Sequence, residues 1–222
     1  FVGPSGSGKT TLASLIARFF DVTEGKLVVG GVNVKEIADE KLMETVSFVF
    51  QDSKLLKMSI YDNIRMGKKD ATKEQVMDAA RIAQAKEIID GKKDGLDSAI
   101  AQGGSNVSGG QKQRFSIARA IVKDPKIYIF DDSFSALDYK TDAILRRELS
   151  MKTKEAAVII VAQRISTILH AEQIIVLNEG KIVGIGTHQE LFDHCAVYRE
   201  IAESQLSEAD IAKLKAQGKE VM

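Results

Sequence analysis

The stretch Gly3-Pro4-Ser5-Gly6-Ser7-Gly8-Lys9-Thr10 restricts what this chain can fold into more than any other feature. It fits G-x-x-x-x-G-K-[ST] at every fixed position. Its glycines let the backbone curl so that successive N–H groups face inward, where phosphate oxygens are held. Lys9 adds a point charge for the β- and γ-phosphates, and the Thr10 hydroxyl suits Mg²⁺. A helix starting here directs its positive end at the same phosphates. The apolar pair Phe1-Val2 stands before the loop, and an apolar stripe at positions 12, 15, 16, 19 and 20 follows it. Strand, loop and helix therefore succeed one another, which argues against a chance glycine turn. The nucleotide-binding set is Gly3, Ser5, Gly6, Ser7, Gly8, Lys9, Thr10 and Thr11. Such a loop specifies a nucleotide but leaves kinase, switch GTPase, motor and transporter all open.

Further β-branched apolar runs at 127–130, 157–162 and 173–177 read as buried parallel strands. Helical patterns lie between them, as at 143–149, so the fold class is α/β, a P-loop NTPase with a mostly parallel sheet. Helical patterns take over from 52 to 123. Residues 72–85 carry apolar positions 76, 79, 80 and 83 and open on Thr72-Lys73-Glu74-Gln75, a capping box. Residues 107–122 end in another helix. We expect a core of 1–51 and 124–203, an inserted helical lobe over 52–123 and a polar tail over 204–222. Pro125 marks the lobe boundary. The tail, with Ile211 and Leu214 as weak apolar anchors, reads as a solvated helix. Asn178-Glu179-Gly180-Lys181 reads as a hairpin turn. Because the chain opens on Phe1, at the end of a strand, we expect core strands missing upstream.

Charge and cysteine content narrow the classes. Lys plus Arg and Asp plus Glu are both 31, so the formal charge is zero. That argues against nonspecific coating of nucleic acid. Cys195 is the only cysteine, which excludes an internal disulfide and a cysteine zinc site and fits a small buried hydrophobe. His188 and His194 read as surface or tail contacts rather than metal ligands. No apolar run approaches the roughly 18–20 residues of a spanning helix.

The apolar run at 127–130 ends in Asp131-Asp132. A carboxylate at a strand's C-terminal end can hold Mg²⁺ through water, the role given to Asp131, while Asp132 would face an attacking water. Val107-Ser108-Gly109-Gly110-Gln111 precedes a helix. It could present N–H groups to an anion, or it could simply cap the helix.

With these motifs in this order, the chain resembles the nucleotide-binding domain of an exporter-type ABC transporter over about residues 1–203. The family signature L-S-G-G-Q is matched at 107–111 with Val107 for Leu. Gln51 follows the apolar run at 46–50. Ser135-Ala136-Leu137-Asp138 stands where the family has its dimer-facing D-loop. Gly186-Thr187-His188-Gln189-Glu190-Leu191 resembles the exporter-type tail. The resemblance implies a RecA-like core that takes ATP with Mg²⁺, the metal held by Thr10, Gln51 and Asp131. It implies two domains dimerised head to tail, each ATP lying between one phosphate loop and the other domain's signature. A transmembrane domain fused upstream would be the partner, at the cytoplasmic face of the cell membrane, with no nucleic acid. Gln51 would sense the γ-phosphate, and residues 52–66 would lie near the membrane domain.

Two departures stand out in the set implied to be catalytic, Gln51, Asp132 and Gln163. Family members that hydrolyse ATP well carry Glu where this chain has Asp132, and His where it has Gln163. Aspartate falls about 1–1.5 Å short of glutamate's reach. Glutamine donates a hydrogen bond but cannot shuttle a proton near neutral pH. Both changes lie on the phosphate-loop side, while the signature keeps its core. This resembles the degenerate member of a heterodimeric exporter: its own site is slow, and its signature completes the partner's site. A smaller departure is Gln102, where exporters often have Glu. The alternatives are a homodimeric slow exporter, a soluble ABC-type ATPase, and a regulatory nucleotide-binding module.

Overall fold

The computed structural model describes residues 1–206, so the expected tail lies, from residue 207 on, outside the described residues. The chain divides into two compact units: Phe1–Val22 with the chain from Ile160 onward, and Thr23–Ile159.

In the first unit, Phe1-Val2 is held on both sides by main-chain bonds. The Ala162 N–H donates to Phe1 O at 3.0 Å, and Val2 exchanges bonds with Ile175 and Leu177 at 3.0 and 2.8 Å. These last bonds belong to β6 (Ile174–Asn178), parallel to Val2. β6 turns back antiparallel into β7 (Lys181–Gly186), with Asn178 opposite Lys181. Glu179 and Gly180, at φ 49° and 74°, make the two-residue turn whose twist suits a hairpin. The helix after the phosphate loop, α1 (Lys9–Ile16), is shorter than its apolar stripe. Arg18 at φ 53° ends it, with Arg18 N–H donating to Leu15 O and Phe19 N–H to Ser14 O. Phe19 and Phe20, expected on the buried face, are 47% and 66% exposed.

Two helices complete this unit, α8 (His188–His194) and α9 (Ala196–Gln205). They pack onto the core of Val2, Ile165, Ile174 and Val176. Cys195 is buried there, as a small hydrophobe would be. His188 corrects the expectation of a surface contact. It is buried, with Nδ1 2.7 Å from the Tyr198 hydroxyl. Burial, aided by the positive potential of His170, lowers its pKa from the ordinary 6.5, against a smaller opposing pull from Asp193.

The second unit opens with a hairpin of β1 (Val28–Val29) and β2 (Val32–Asn33) around Gly30 and Gly31, then α2 (Asp39–Thr45). β3 (Val46–Val49) pairs in parallel with β4 (Ile127–Asp131), Val46 opposite Ile127 and Val49 opposite Phe130. β5 (Ala157–Val161) follows in the strand order β3-β4-β5. Tyr128, Ile129 and Phe130 are all fully buried, as an uninterrupted apolar run requires. Burying each such side chain contributes about 1.5–3 kcal/mol.

The helices between β3 and β4 are α3 (Ile60–Arg65), α4 (Lys73–Ile82), α5 (Lys86–Asp90) and α6 (Gly109–Lys123); α7 (Tyr139–Lys152) follows β4. α3 and α4 both pack on α6. The capping box expected at Thr72 and Gln75 is present at the start of α4.

Candidate functional site

The expected site residues divide between the two units. Residues 3–11 and Gln163 lie in the first; Gln51, 107–111, Asp131, Asp132 and 135–138 lie in the second.

In the first unit the phosphate loop is built as a cradle. Lys9 is folded back over it, its Nζ donating to Gly3 O at 2.9 Å, Pro4 O at 2.7 Å and Ser7 Oγ at 3.3 Å. Lys9 and Ser7 are buried, whereas Ser5, Gly6, Thr10 and Thr11 line the exposed side. The β6–β7 turn braces the loop from behind, Gly180 N–H donating to Ser7 O at 3.2 Å. Gly3, Gly6 and Gly8 sit at φ 154°, 76° and 99°. A Cβ on Gly3 would collide with the Leu177 carbonyl oxygen, while one on Gly6 would meet nothing. Gly8 starts α1 without a side-chain cap, and the first turn carries no acid. A helix N-terminus of this kind is satisfied by an external anion.

Gln163 follows β5, with its side chain exposed. Gln205 at the end of α9 holds the segment, its Nε2 donating to Gln163 O and its Oε1 accepting from Ile165 N–H, both at 2.8 Å.

In the second unit, Asp131 ends β4 and Asp132 follows it, both buried. Asp132 adopts φ 46°, a region that Asp tolerates better than most residues. Its Oδ2 accepts from Gln51 Nε2 at 2.9 Å, so residues distant in sequence meet here. Ser133, fully buried, fixes that meeting: its Oγ lies 2.8 Å from Val49 O and 3.3 Å from Asp131 O, tying the ends of β3 and β4. Ser135 Oγ donates to Asp132 O at 2.9 Å and steadies the turn.

The signature forms the first turn of α6. The Ser108 hydroxyl accepts from Gln111 N–H at 3.3 Å, and Gln111 Oε1 accepts from Ser108 N–H at 3.2 Å. The helix cap of the second reading is therefore present, and the glycines behind it open the helix. A Cβ on Gly110 would stand 3.0 Å from Ala136 O, so the signature turn and residues 135–138 are packed closely together. Leu137 is buried, and Asp138 caps α7 by accepting from Thr141 N–H at 2.9 Å. That bond holds its carboxyl below the usual carboxylate range.

Sequence reasoning missed Ser133, Gln205 and Gln113. Gln113 is a buried amide on α6 that bonds Phe50 O and Ser53 Oγ. Polar residues in turns and on helices look solvated in a sequence, and no periodicity marks them as buried.

The profile of the ABC transporter family matches residues 1–135. The chain is 45% identical over 213 residues to an uncharacterized ABC transporter ATP-binding protein of Mycobacterium bovis, covering 95% of this chain and 36% of that protein. It is 41% identical over 200 residues to a Bacillus subtilis protein named "Putative multidrug export ATP-binding/permease protein", covering 90% of this chain and 34% of that protein. Among solved structures, a bacterial Atm1-family ABC exporter with ATP bound superposes with a TM-score of 0.90 at 34% identity, covering 93% of this chain and 36% of that one. The chain belongs to the ABC transporter family, and its fold is that of the family's ATP-binding domain. It spans about a third of the length of these relatives.

The residues fit the expected ligands. The glycine cradle and Lys9 suit the phosphates of ATP. The Thr10 hydroxyl, the Gln51 amide and the Asp131 carboxylate are hard oxygen donors of the kind Mg²⁺ takes. Among the described residues, no group of three or more His, Cys, Asp or Glu could hold a metal. No helix among them is long and apolar enough to cross a membrane.

Proposed function

We propose that this chain is the ATP-binding domain of an ABC exporter, that its own nucleotide site turns over slowly, and that its signature completes the competent site of a non-identical second domain. Support comes from the export ATP-binding/permease name of the Bacillus subtilis relative and from the exporter neighbour with ATP bound. The covalent link to a permease in that relative's name favours a transmembrane partner for this chain, with the domain at the cytoplasmic face of the membrane.

In this reading the loop N–H groups and Lys9 hold the ATP phosphates. Thr10, Gln51 and Asp131 would hold Mg²⁺, which would supply charge neutralisation to the bound phosphates. Water attacks the γ-phosphorus, ADP leaves, and a carboxylate accepts the water's proton. The observation that carries the slow site is Asp132 itself, a short carboxylate already engaged by Gln51 at 2.9 Å. Its oxygens end about 1–1.5 Å short of glutamate's reach. An error near 1 Å costs on the order of 10²-fold in rate. Gln163 can donate to the γ-phosphate but carries no titratable proton. Ser108–Gln111 keep the signature's core and would act on the partner's ATP.

Native mass spectrometry of the full-length protein, purified by a tag on this chain, tests the assembly. A one-to-one complex with a different ABC subunit bearing Glu and His at the corresponding places is expected. A homodimer would overturn the heterodimer reading and make both sites slow.

A further inference from the structure

Gln113 lies on α6 just beyond the signature, is 2% exposed, and uses both ends of its amide. Its Oε1 accepts from Ser53 Oγ at 2.5 Å, and its Nε2 donates to Phe50 O at 3.2 Å. These partners flank Gln51 on either side, and Gln51 donates to Asp132. A buried amide end is costly to leave without a partner, so the segment around Gln51 cannot leave α6 without exposing or orphaning Gln113. α6 is one continuous helix from its Ser108 cap to Lys123, so Gln113 and the signature turn move together. Farther along the same helix, Arg119 donates to Asn63 O at 2.8 Å and to Lys54 O at 3.4 Å. The segment after Gln51 is thus gripped at two places by the helix that carries the signature.

We propose that Gln113 is a positioning residue that couples Gln51 to the signature turn. A shift of Gln51 at this chain's own nucleotide is passed through Phe50 and Ser53 to Gln113, and so to the signature presented to the other ATP. This rests on the proposed function, in which that signature serves a second domain.

The test is a double-mutant cycle in the full-length assembled protein, with Gln113→Met, which keeps volume and removes both bonds, and Ser53→Ala. Three quantities are read: ATPase kcat, ATP dissociation constant by radiolabelled ATP binding, and the thermal unfolding midpoint. We expect Gln113→Met to lower kcat about tenfold with the ATP dissociation constant within about twofold of wild type. Ser53→Ala is expected to lower kcat less, and the double variant to be no worse than Gln113→Met alone. Unchanged kcat overturns the proposal. So do additive losses, or a fall in ATP affinity and unfolding midpoint that matches the fall in kcat, since those mark a merely structural residue. The cycle reads coupling equally in a heterodimer or a homodimer, so it fails separately from the assembly reading.

Discussion

Gly3 and Gly6 both adopt positive φ, for different reasons. At Gly3 a side chain would strike the Leu177 carbonyl; at Gly6 the space is open. Gly3→Ala is therefore expected to destabilise the fold by more than about 3 kcal/mol, visible in chemical denaturation of the full-length protein. Gly6→Ala is expected to cost only about 1–2 kcal/mol, the left-handed penalty, while ATP affinity falls at least about tenfold because the cradle is filled. A stability loss at Gly6 as large as that at Gly3 would contradict the cradle. The motif made these glycines legible but not their separate roles, since only the hairpin behind the loop distinguishes them. His188 gives a pH dependence. Its folded pKa lies below the ordinary 6.5, so the unfolded chain takes up the proton first as pH falls. The contribution is complete above about pH 6.5 and is lost as pH drops through the folded value. His188→Gln should flatten the decline in unfolding midpoint measured from about pH 7.5 to 5. An equal decline in both proteins would assign it to other groups. No sequence pattern showed this burial, because Tyr198, its partner, lies on another helix.

Among the elements, the unbroken patterns at β4 and α4 were read correctly, whereas the apolar run at 157–162, expected as a buried strand, forms β5 with Ala157 and Val158 exposed and only Val161 of its residues buried. β4 is an apolar run buried from Tyr128 onward, and α4 starts at its capping box. Removing that cap in Thr72→Ala should cost about 1 kcal/mol in denaturant unfolding. The end of α1 was not legible, because Phe19 and Phe20 prolong the apolar period past the point where Arg18 turns the chain. The β1–β2 hairpin escaped because two-residue strands carry no period. Within β4, the Tyr128 hydroxyl is buried and has no hydrogen-bond partner among the described residues. Burial raises its pKa well above the ordinary tyrosine value. Tyr128→Phe removes a polar group that gains nothing from its site, and stability should stay level or rise by about 1 kcal/mol. A loss of more than about 1 kcal/mol would mean the hydroxyl is bonded in solution.

At the scale of the molecule, the order of motifs made the family legible, because each is short, local and tied to one chemical task. Less visible was how the second unit joins them. The Ser133 tie between β3 and β4 brings Gln51 to Asp132, and close packing sets Gly110 against Ala136. These contacts arise from strand register and helix packing, which the spacing of motifs does not encode. They place the short carboxylate of Asp132 at the centre of the account. The most direct test is steady-state ATPase of the full-length complex, its partner site silenced by substitution of the partner's catalytic carboxylate, carrying Asp132→Glu together with Gln163→His and compared at saturating Mg-ATP with the same silenced complex that keeps Asp132 and Gln163. A rate increase of about tenfold or more is expected, toward the order of 10²-fold that a 1 Å correction allows. An unchanged rate with ATP binding intact would contradict it and show that these two residues do not limit the site.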